Sequence, residues 1–90
     1  MAYFAATYDL IEKDEDQYQD LWDELKRLQA HHYQESCWFV DRDCTTKPLR
    51  DLLESHIEDD DMLMVIRFST RPRWTKAKLG TKAWVDARFP

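Results

Sequence analysis

The sequence predicts a single α+β domain in which strands and helices follow one another in the order β-α-β-β-α-β. Two continuous apolar runs of strand length, residues 2–9 and 62–68, lie at the start and in the last third of the chain. Between them, two stretches repeat apolar residues at steps of three and four, the spacing of one helix face. A chain of 90 residues makes one small domain, which buries only about two-thirds of its unfolded surface. A partner subunit would therefore add stability.

The first predicted strand, residues 2–9, ends on a carboxylate. Side chains alternate along a strand and divide it into two faces. One face carries Phe4, Ala6 and Tyr8, and the other carries Tyr3, Ala5, Thr7 and Asp9. The acid at the strand end, Asp9, is either a metal-binding or proton-transfer group or a residue that turns the chain.

The first predicted helix covers residues 16–30. Asp14 and Asp16 are its candidate N-caps, and their charge suits the positive end of a helix. The apolar side of this helix is formed by Tyr18, Leu21, Trp22, Leu25 and Leu28. Residues 31–41 then predict two short strands or one bent strand, with a break near Glu35 and Ser36, because a single straight strand of this length is unusual.

The second predicted helix follows a turn at residues 42–48. Thr45 or Thr46 caps it, and Pro48 lies in its first turn, where the missing N–H costs little. The apolar side of this helix is formed by Leu49, Leu52, Leu53, His56 and Ile57. The continuous apolar run at residues 62–68 predicts a second central strand.

This order of elements is that of the split β-α-β, or ferredoxin-like, sandwich, with both helices on one face of an antiparallel sheet. Residues 1–69 form the predicted core, and residues 70–90 form a basic C-terminal extension that adds a strand or packs on a partner subunit. The open sheet face would expose aromatic side chains such as Tyr3, Tyr33 or Trp38. An apolar sheet face on so small a domain predicts a partner.

Charge is divided unevenly along the chain. Residues 1–66 contain six Lys or Arg against seventeen Asp or Glu, a net charge of about −11, whereas residues 67–90 contain seven against Asp86 alone, about +6. The C-terminal extension is therefore the region best suited to bind phosphate. The acidic remainder also raises the alternative of a protein that mimics DNA.

Composition excludes several functional classes. Gly80 is the only glycine, which excludes glycine-rich phosphate loops and dinucleotide fingerprints. Cys37 and Cys44 lack the spacing of a zinc site, so reduced thiols are expected. The adjacent His31 and His32 would point to opposite faces of a strand and could not share one metal ion. Because neither an export signal nor a membrane-spanning run is recognisable, we expect a cytoplasmic protein.

The basic extension is the best candidate for a binding site. Its cations are interleaved with two tryptophans: Arg71, Arg73, Trp74, Lys76, Lys78, Lys82 and Trp84. Phosphate-pairing charge beside aromatic stacking surfaces is what single-strand binding requires. The alternative is a solubilising tail whose tryptophans cover the core or a partner subunit.

Three segments, separated by the two predicted helices, resemble a known family. They are a tyrosine-aspartate strand end at residues 3–10, a serine-plus-aromatic strand at 35–40 and an aspartate-led apolar strand at 60–66. Together they resemble the small CRISPR-associated endoribonuclease superfamily, whose members form the central dimer of the spacer-acquisition complex. The resemblance is strongest to its stand-alone SinR-like branch, with VapD-type toxins as cousins, and it covers residues 2–68.

The resemblance implies a ferredoxin-like homodimer in which a strand after the core, residues 81–87 here, crosses onto the neighbouring subunit. It also implies a metal-dependent endonuclease or endoribonuclease, in which Asp9 of both subunits holds Mg²⁺ against a phosphate of RNA or DNA. Magnesium commonly binds through one or two carboxylates plus phosphate oxygens. A larger nuclease or integrase is an implied partner. Because many members of this family act as scaffolds, a non-catalytic dimeric scaffold or protein-interaction module is the alternative.

Overall fold

The structure is a computed structural model that describes residues 2–11 and 15–90. In chain order the elements are β1 (Ala2–Asp9), α1 (Glu15–Arg27), β2 (His31–Gln34), β3 (Cys37–Arg42), α2 (Thr46–Glu54), β4 (Met62–Phe68) and α3 (Thr81–Arg88). The predicted break between two short strands is confirmed, and Thr45 is the N-cap of α2. The candidate cap Asp14 lies outside the described residues. Across the described ranges, each helix is too short or too polar to cross a membrane.

The four strands form one antiparallel sheet in the order β2-β3-β1-β4. β1 is central, because Ala5 pairs with Phe39 of β3 on one side and with Ile66 of β4 on the other. The predicted α+β class is confirmed, and the architecture is compatible with the ferredoxin-like class. β4 is an edge strand, so the prediction of a central strand there is wrong. A continuous apolar run does not distinguish a strand with two neighbours from an edge strand whose apolar side chains stay exposed.

The first face of the sheet packs on α1 and α2. The alternation predicted for β1 is confirmed, because Phe4, Ala6 and Tyr8 are buried on this face while the residues between them are not fully buried. They pack in one core with the leucines Leu21, Leu25, Leu49 and Leu53 of the two helices. The described residues of this core all come from the part of the chain before the C-terminal extension.

The hydroxyl of Tyr8 joins several elements inside this core. It accepts hydrogen bonds from the indole N–H groups of Trp22 at 2.7 Å and Trp38 at 3.1 Å. Burial raises the pKa of the Tyr8 phenol above 10.0, so the ring stays neutral. Trp38 therefore lies on the helix side of the sheet, and its predicted position on the open face is wrong. The pairing of Trp38 with Ala6, which faces the helices, fixes this side.

The second face is partly covered by α3, which replaces the strand predicted at residues 81–87. Gly80, with φ at 96°, precedes the helix in the left-handed conformation that glycine adopts readily. Thr81, Trp84 and Val85 are then buried at the three- and four-residue spacing of a helix face. A strand would have placed Trp84 and Val85 on opposite sides. The helix buries both, which is the physical reason for the difference.

A second apolar cluster lies between α3 and the sheet. Trp84 stacks on Phe39 with the ring centroids 4.9 Å apart and meets the ring of Tyr3 edge-on at 6.1 Å. Tyr33 and Phe68 pack against the same cluster. The predicted position of Tyr3 and Tyr33 on this face is confirmed. Both are half-buried, because α3 covers this part of the face.

The adjacent histidines of β2 point to opposite faces, as predicted. His32 stacks on Trp38 with ring centroids 4.4 Å apart, whereas Nε2 of His31 lies 2.8 Å from Oγ1 of Thr81. The Thr81 hydroxyl donates its single hydrogen to the Lys78 carbonyl. Its oxygen therefore accepts from the Nε2–H group of His31, and this hydrogen bond links β2 to α3.

Acid is expected to destabilise the fold through His31. Burial, with His32 and Arg88 nearby, lowers the pKa of His31 below its ordinary 6.5. Between that lowered pKa and 6.5 the unfolded chain binds more protons than the folded chain, so the free energy of unfolding falls as the pH drops below 6.5. Chemical denaturation at about pH 7.5 and about pH 5.5 measures the effect. His31→Gln should lose less stability over this interval, and an equal loss in both proteins would exclude His31 as the cause.

A candidate nucleic-acid interface

A cavity of about 620 Å³ opens between the second face of the sheet and the segment that precedes α3. One wall comes from β2 and β3 and the other from residues 72–76. The lining residues are Tyr33, Gln34, Phe39, Pro72, Arg73, Trp74, Thr75, Lys76 and Thr81. Sites for small ligands commonly measure about 300 to 1,000 Å³. The core and the C-terminal extension thus form a concave site together.

Contacts at both ends hold the segment of residues 71–80 against the rest of the protein. At one end, Nη2 of Arg71 lies 2.5 Å from Oδ1 of Asp86 in α3. At the other end, the backbone N–H of Lys78 donates to the Tyr33 carbonyl at 2.9 Å. The Thr81 hydroxyl donates to the Lys78 carbonyl at 2.8 Å. The wall formed by this segment is therefore anchored to α3 and to β2.

Aromatic rings on the sheet side of the cavity are arranged in a stack. Tyr33 lies on Phe39 with the ring centroids 3.9 Å apart and the planes 17° from parallel. Phe39 stacks in turn on Trp84. Burial raises the pKa of Tyr33 to about 12, so its phenol is neutral. Trp74, on the other wall, is 37% exposed and is the one tryptophan without a ring contact to the described residues.

The cations of the extension divide into paired and unpaired groups. Arg71 and Lys82 both pair with Asp86, at 2.5 Å and 2.6 Å. Their hydrogen bonds lower the pKa of the Asp86 carboxyl, which is therefore charged at neutral pH. Arg73 and Lys76 line the cavity and form no ion pair with any described residue. Their charges remain available to an anionic ligand.

The structure brings together half of the residues that the sequence indicates for nucleic-acid binding. Arg73, Trp74 and Lys76 line the cavity. Lys78 lies next to it through its backbone contact with β2, and its side chain is exposed. Arg71 and Lys82 bind Asp86 instead and hold the extension together.

Sequence reasoning missed Gln34, Phe39 and Asp86, and it placed Tyr33 on this face without assigning it to the site. Tyr33 and Phe39 form the sheet wall, and nothing in their local sequence separates them from ordinary strand aromatics. Asp86 anchors Arg71 and Lys82. Asp86 is the only acid in residues 67–90, and this isolation was the one signal that could have identified it.

Asp9 is exposed at the end of β1, on the second face and at the same end of the sheet as the cavity. Thr7, on the same face, pairs with Cys37, which pairs in turn with Gln34 of the cavity wall. Two strand spacings, about 10 Å in total, separate β1 from β2. A smaller pocket of about 290 Å³ adjoins Asp9 and is lined by Thr7, Tyr8, Asp9, Ser36, Cys37, Met62, Leu63 and Met64.

The described residues do not complete a metal site at Asp9. Within residues 2–11 and 15–90, no group of three or more His, Cys, Asp or Glu side chains is placed to hold a metal ion. Of the described residues that line the pocket, Asp9 is the one carboxylate. Magnesium typically takes one or two carboxylates together with phosphate oxygens. The described part of the chain therefore supplies one of the ligands that the predicted site needs.

An exposed apolar surface adjoins Asp9 on the edge strand. Met62, Met64 and Ile66, here called the edge patch, are 63%, 58% and 48% exposed. In the register of the sheet, Met62 pairs with Asp9 and Met64 pairs with Thr7, which places the patch on the second face. β4 has a paired neighbour on one side only among the described strands. Exposed apolar side chains on such an edge are typical of an interaction surface.

No family model matches the chain when it is compared with models of known protein families. The resemblance to CRISPR-associated endoribonucleases therefore stays a prediction from the sequence. The geometry of the cavity, Asp9 and the edge patch is what supports a function.

Proposed function

We propose that this protein is a homodimer that binds nucleic acid, with the basic wall of the cavity contacting the phosphate backbone. The observation that carries this proposal is the position of Arg73 and Lys76. Both line a cavity beside aromatic side chains, and neither forms an ion pair with a described residue. Cations of this kind bind phosphate and release its counterions without first breaking an internal ion pair.

The distribution of charge over the two faces supports this orientation. The exposed sides of α1 and α2, on the first face, carry acids such as Asp20, Asp23 and Glu54. The basic extension lies on the second face. On the helix side these acids are interspersed with cations, as in the Arg50–Glu54 ion pair, so a polyanion is attracted to the cavity side instead. The basic extension also argues against the DNA-mimic alternative, because a DNA mimic presents acids to its partner.

The strand order supports a ferredoxin-like topology for the core. α1 connects β1 to β2 with β3 between them, and α2 connects β3 to β4 with β1 between them. Both helices pack in the same core on the first face. Two interleaved β-α-β units of this kind are the arrangement that the resemblance implies.

A second copy of the chain is the partner that best fits the edge patch. Packing Met62, Met64 and Ile66 against the same residues of a partner removes apolar surface from water and shields the edge of β4. A two-fold axis makes a single patch of this kind self-complementary. Since Met62 pairs with Asp9, such a dimer places both Asp9 residues beside the interface.

Mg²⁺-dependent cleavage of RNA or DNA is the second candidate function, and the position of Asp9 favours it. Asp9 is exposed, borders the edge patch and lies at the same end of the sheet as the cavity. In the dimer, Asp9 of the two subunits supplies a pair of carboxylates for the ion. The ion, when bound, supplies polarisation of the scissile phosphate. In the alternative, a non-catalytic scaffold for a larger nuclease or integrase, Asp9 is dispensable.

Replacing Arg73 and Lys76 together by alanine is expected to weaken the binding of labelled single-stranded RNA and DNA. Each substitution removes a phosphate contact. The slope of the logarithm of the binding constant against the logarithm of the salt concentration should therefore become shallower by about 0.7 per residue, about 1.4 in total. Fluorescence anisotropy at several salt concentrations measures both the affinity and the slope.

The matched control for this experiment is Lys26→Ala with Arg67→Ala. Lys26 lies on α1 and Arg67 pairs with Phe4 on the first face, so the same charge is removed from the side opposite the cavity. An equal loss of affinity in the control would mean that nucleic acid responds to the overall charge of the protein, and the cavity would then have no part in binding. A wild-type protein that binds neither RNA nor DNA at low salt would favour the protein-interaction module instead.

A further inference from the structure

We propose that the cavity is a pocket for one unpaired nucleobase, which makes single-stranded nucleic acid the ligand class. This inference rests on the nucleic-acid binding proposed above and makes it more specific. The basic wall alone would bind any polyanion, including duplex DNA. The aromatic and polar groups between the cations and the sheet are what select an exposed base.

Trp74 presents an aromatic surface to the cavity. The other tryptophans are engaged in ring contacts with the core, whereas Trp74 makes none with the described residues and lines the cavity. Tyr33 lines the cavity from the sheet side, where its stack on Phe39 holds it in place. Every nucleobase has a flat face that stacks on such rings, so binding of this kind tolerates different sequences.

Polar side chains line the cavity together with the aromatic rings. Gln34 lines the cavity, is exposed and has no side-chain hydrogen bond to a described residue. Its amide offers both donors and an acceptor, which match the mixed donor and acceptor edges of bases. Arg73 and Lys76 lie on the same cavity, where they can pair with the phosphates that flank an inserted base.

The shape of the site also favours an unpaired base. A concave cavity of about 620 Å³ admits a group that projects from a strand, and a stacked, paired base cannot enter it. A duplex would have to flip a nucleotide out, at a cost in unstacking and unpairing. Duplexes should therefore bind through their phosphates alone, more weakly than single strands of the same length and at the same salt concentration.

The test compares four ligands: a single-stranded ten-nucleotide RNA, a single-stranded DNA of the same sequence, its duplex, and an abasic strand with the same number of phosphates. The wild-type protein is expected to bind the base-containing strands about tenfold or more tightly than the abasic strand. Trp74→Ala should remove most of this difference while leaving the affinity for the abasic strand unchanged. Trp74→Phe, which keeps a stacking ring, should retain most of it. Leu79→Ala, which removes another exposed apolar side chain from the same segment, should change nothing.

The outcomes separate this inference from the proposed function. Equal affinity for base-containing, abasic and duplex ligands, lowered equally by Arg73→Ala with Lys76→Ala, would overturn the base pocket and leave phosphate binding intact. Failure of every ligand to bind wild type would overturn both. A Trp74→Ala protein that discriminates as well as wild type would also overturn the pocket, because stacking on Trp74 is its central element.

Discussion

Replacing Trp84 by alanine is expected to lower the free energy of unfolding by about 3 to 5 kcal/mol and to release α3 from the sheet. Trp84 is 8% exposed, and its ring contacts Phe39 and Tyr3. The guanidinium of Arg88 lies 4.1 Å from the centroid of the same ring. α3 has only eight residues, and helices shorter than about 12 residues are marginal in water without packing. Loss of this side chain should therefore undo the helix as well as the contact.

Urea unfolding followed by circular dichroism measures this loss. Trp84→Phe is the matched variant, because it keeps an aromatic ring against Phe39 and should cost much less. The release of α3 also frees Asp86, which anchors Arg71 of the cavity wall, so Trp84→Ala should lose nucleic-acid affinity while Trp84→Phe keeps it. A Trp84→Ala protein as stable as wild type would mean that α3 does not pack on the sheet in solution.

The elements that could be predicted from the sequence are those that bury a single face. The residues of β1 alternate between buried and partly exposed, because the face with Phe4 packs on two helices and the other face is only partly covered. The leucines of α1 and α2 repeat at helical spacing for the same reason. In each case the local pattern records a single buried face, and the face is evident without knowing the fold.

The side on which Trp38 lies could not be predicted, because its strand is apolar on both sides. Trp38, Phe39 and Val40 are all buried. Trp38 and Val40 meet the helix-side core, while Phe39 meets α3. Alternation is invisible in a run of this kind, so only the pairing with β1 decides which ring faces which layer.

Only the part of the candidate site that is continuous in sequence could be predicted. The clustering of Arg73, Trp74 and Lys76 is local and can be recognised in the sequence. The sheet wall that completes the cavity comes from Tyr33 and Phe39, more than thirty residues earlier. The ion pairs also depend on the fold, because Asp86 pairs with Arg71 and Lys82, whereas Arg73 and Lys76 form no ion pair with any residue that the structure describes.

Met64→Asp is expected to convert the proposed dimer into monomers, weakening self-association by about a hundredfold or more. Met64 lies in the middle of the edge patch and is 58% exposed in the protomer, so the change should leave the protomer folded. In the dimer the new carboxylate would be buried without a partner, once from each subunit, and desolvation of an unpaired charge is costly. Light scattering and sedimentation velocity measure the result. Leu79→Asp is the control, because it places the same charge on a fully exposed leucine outside the patch.

A second edge-patch variant, Ile66→Asp, compared with Asp9→Ala, decides whether the interface carries the chemistry. Ile66 is 48% exposed and does not line the pocket beside Asp9, so the new charge stays away from the proposed metal site. Asp9→Ala should stay dimeric and lose all Mg²⁺-dependent cleavage, because neither subunit then supplies the Asp9 carboxylate. Ile66→Asp keeps Asp9 and the cavity, so it should still bind single strands but fail to cleave, since the two Asp9 carboxylates are then no longer held together. Cleavage by the Ile66→Asp monomer would separate the metal site from the interface, and cleavage by Asp9→Ala would remove Asp9 from the mechanism. Binding without cleavage in the wild type would leave the dimer as a scaffold. A metal site shared by the two subunits requires both variants to lose cleavage. Asp9→Ala removes the ligand, and the monomeric variant separates the two Asp9 ligands.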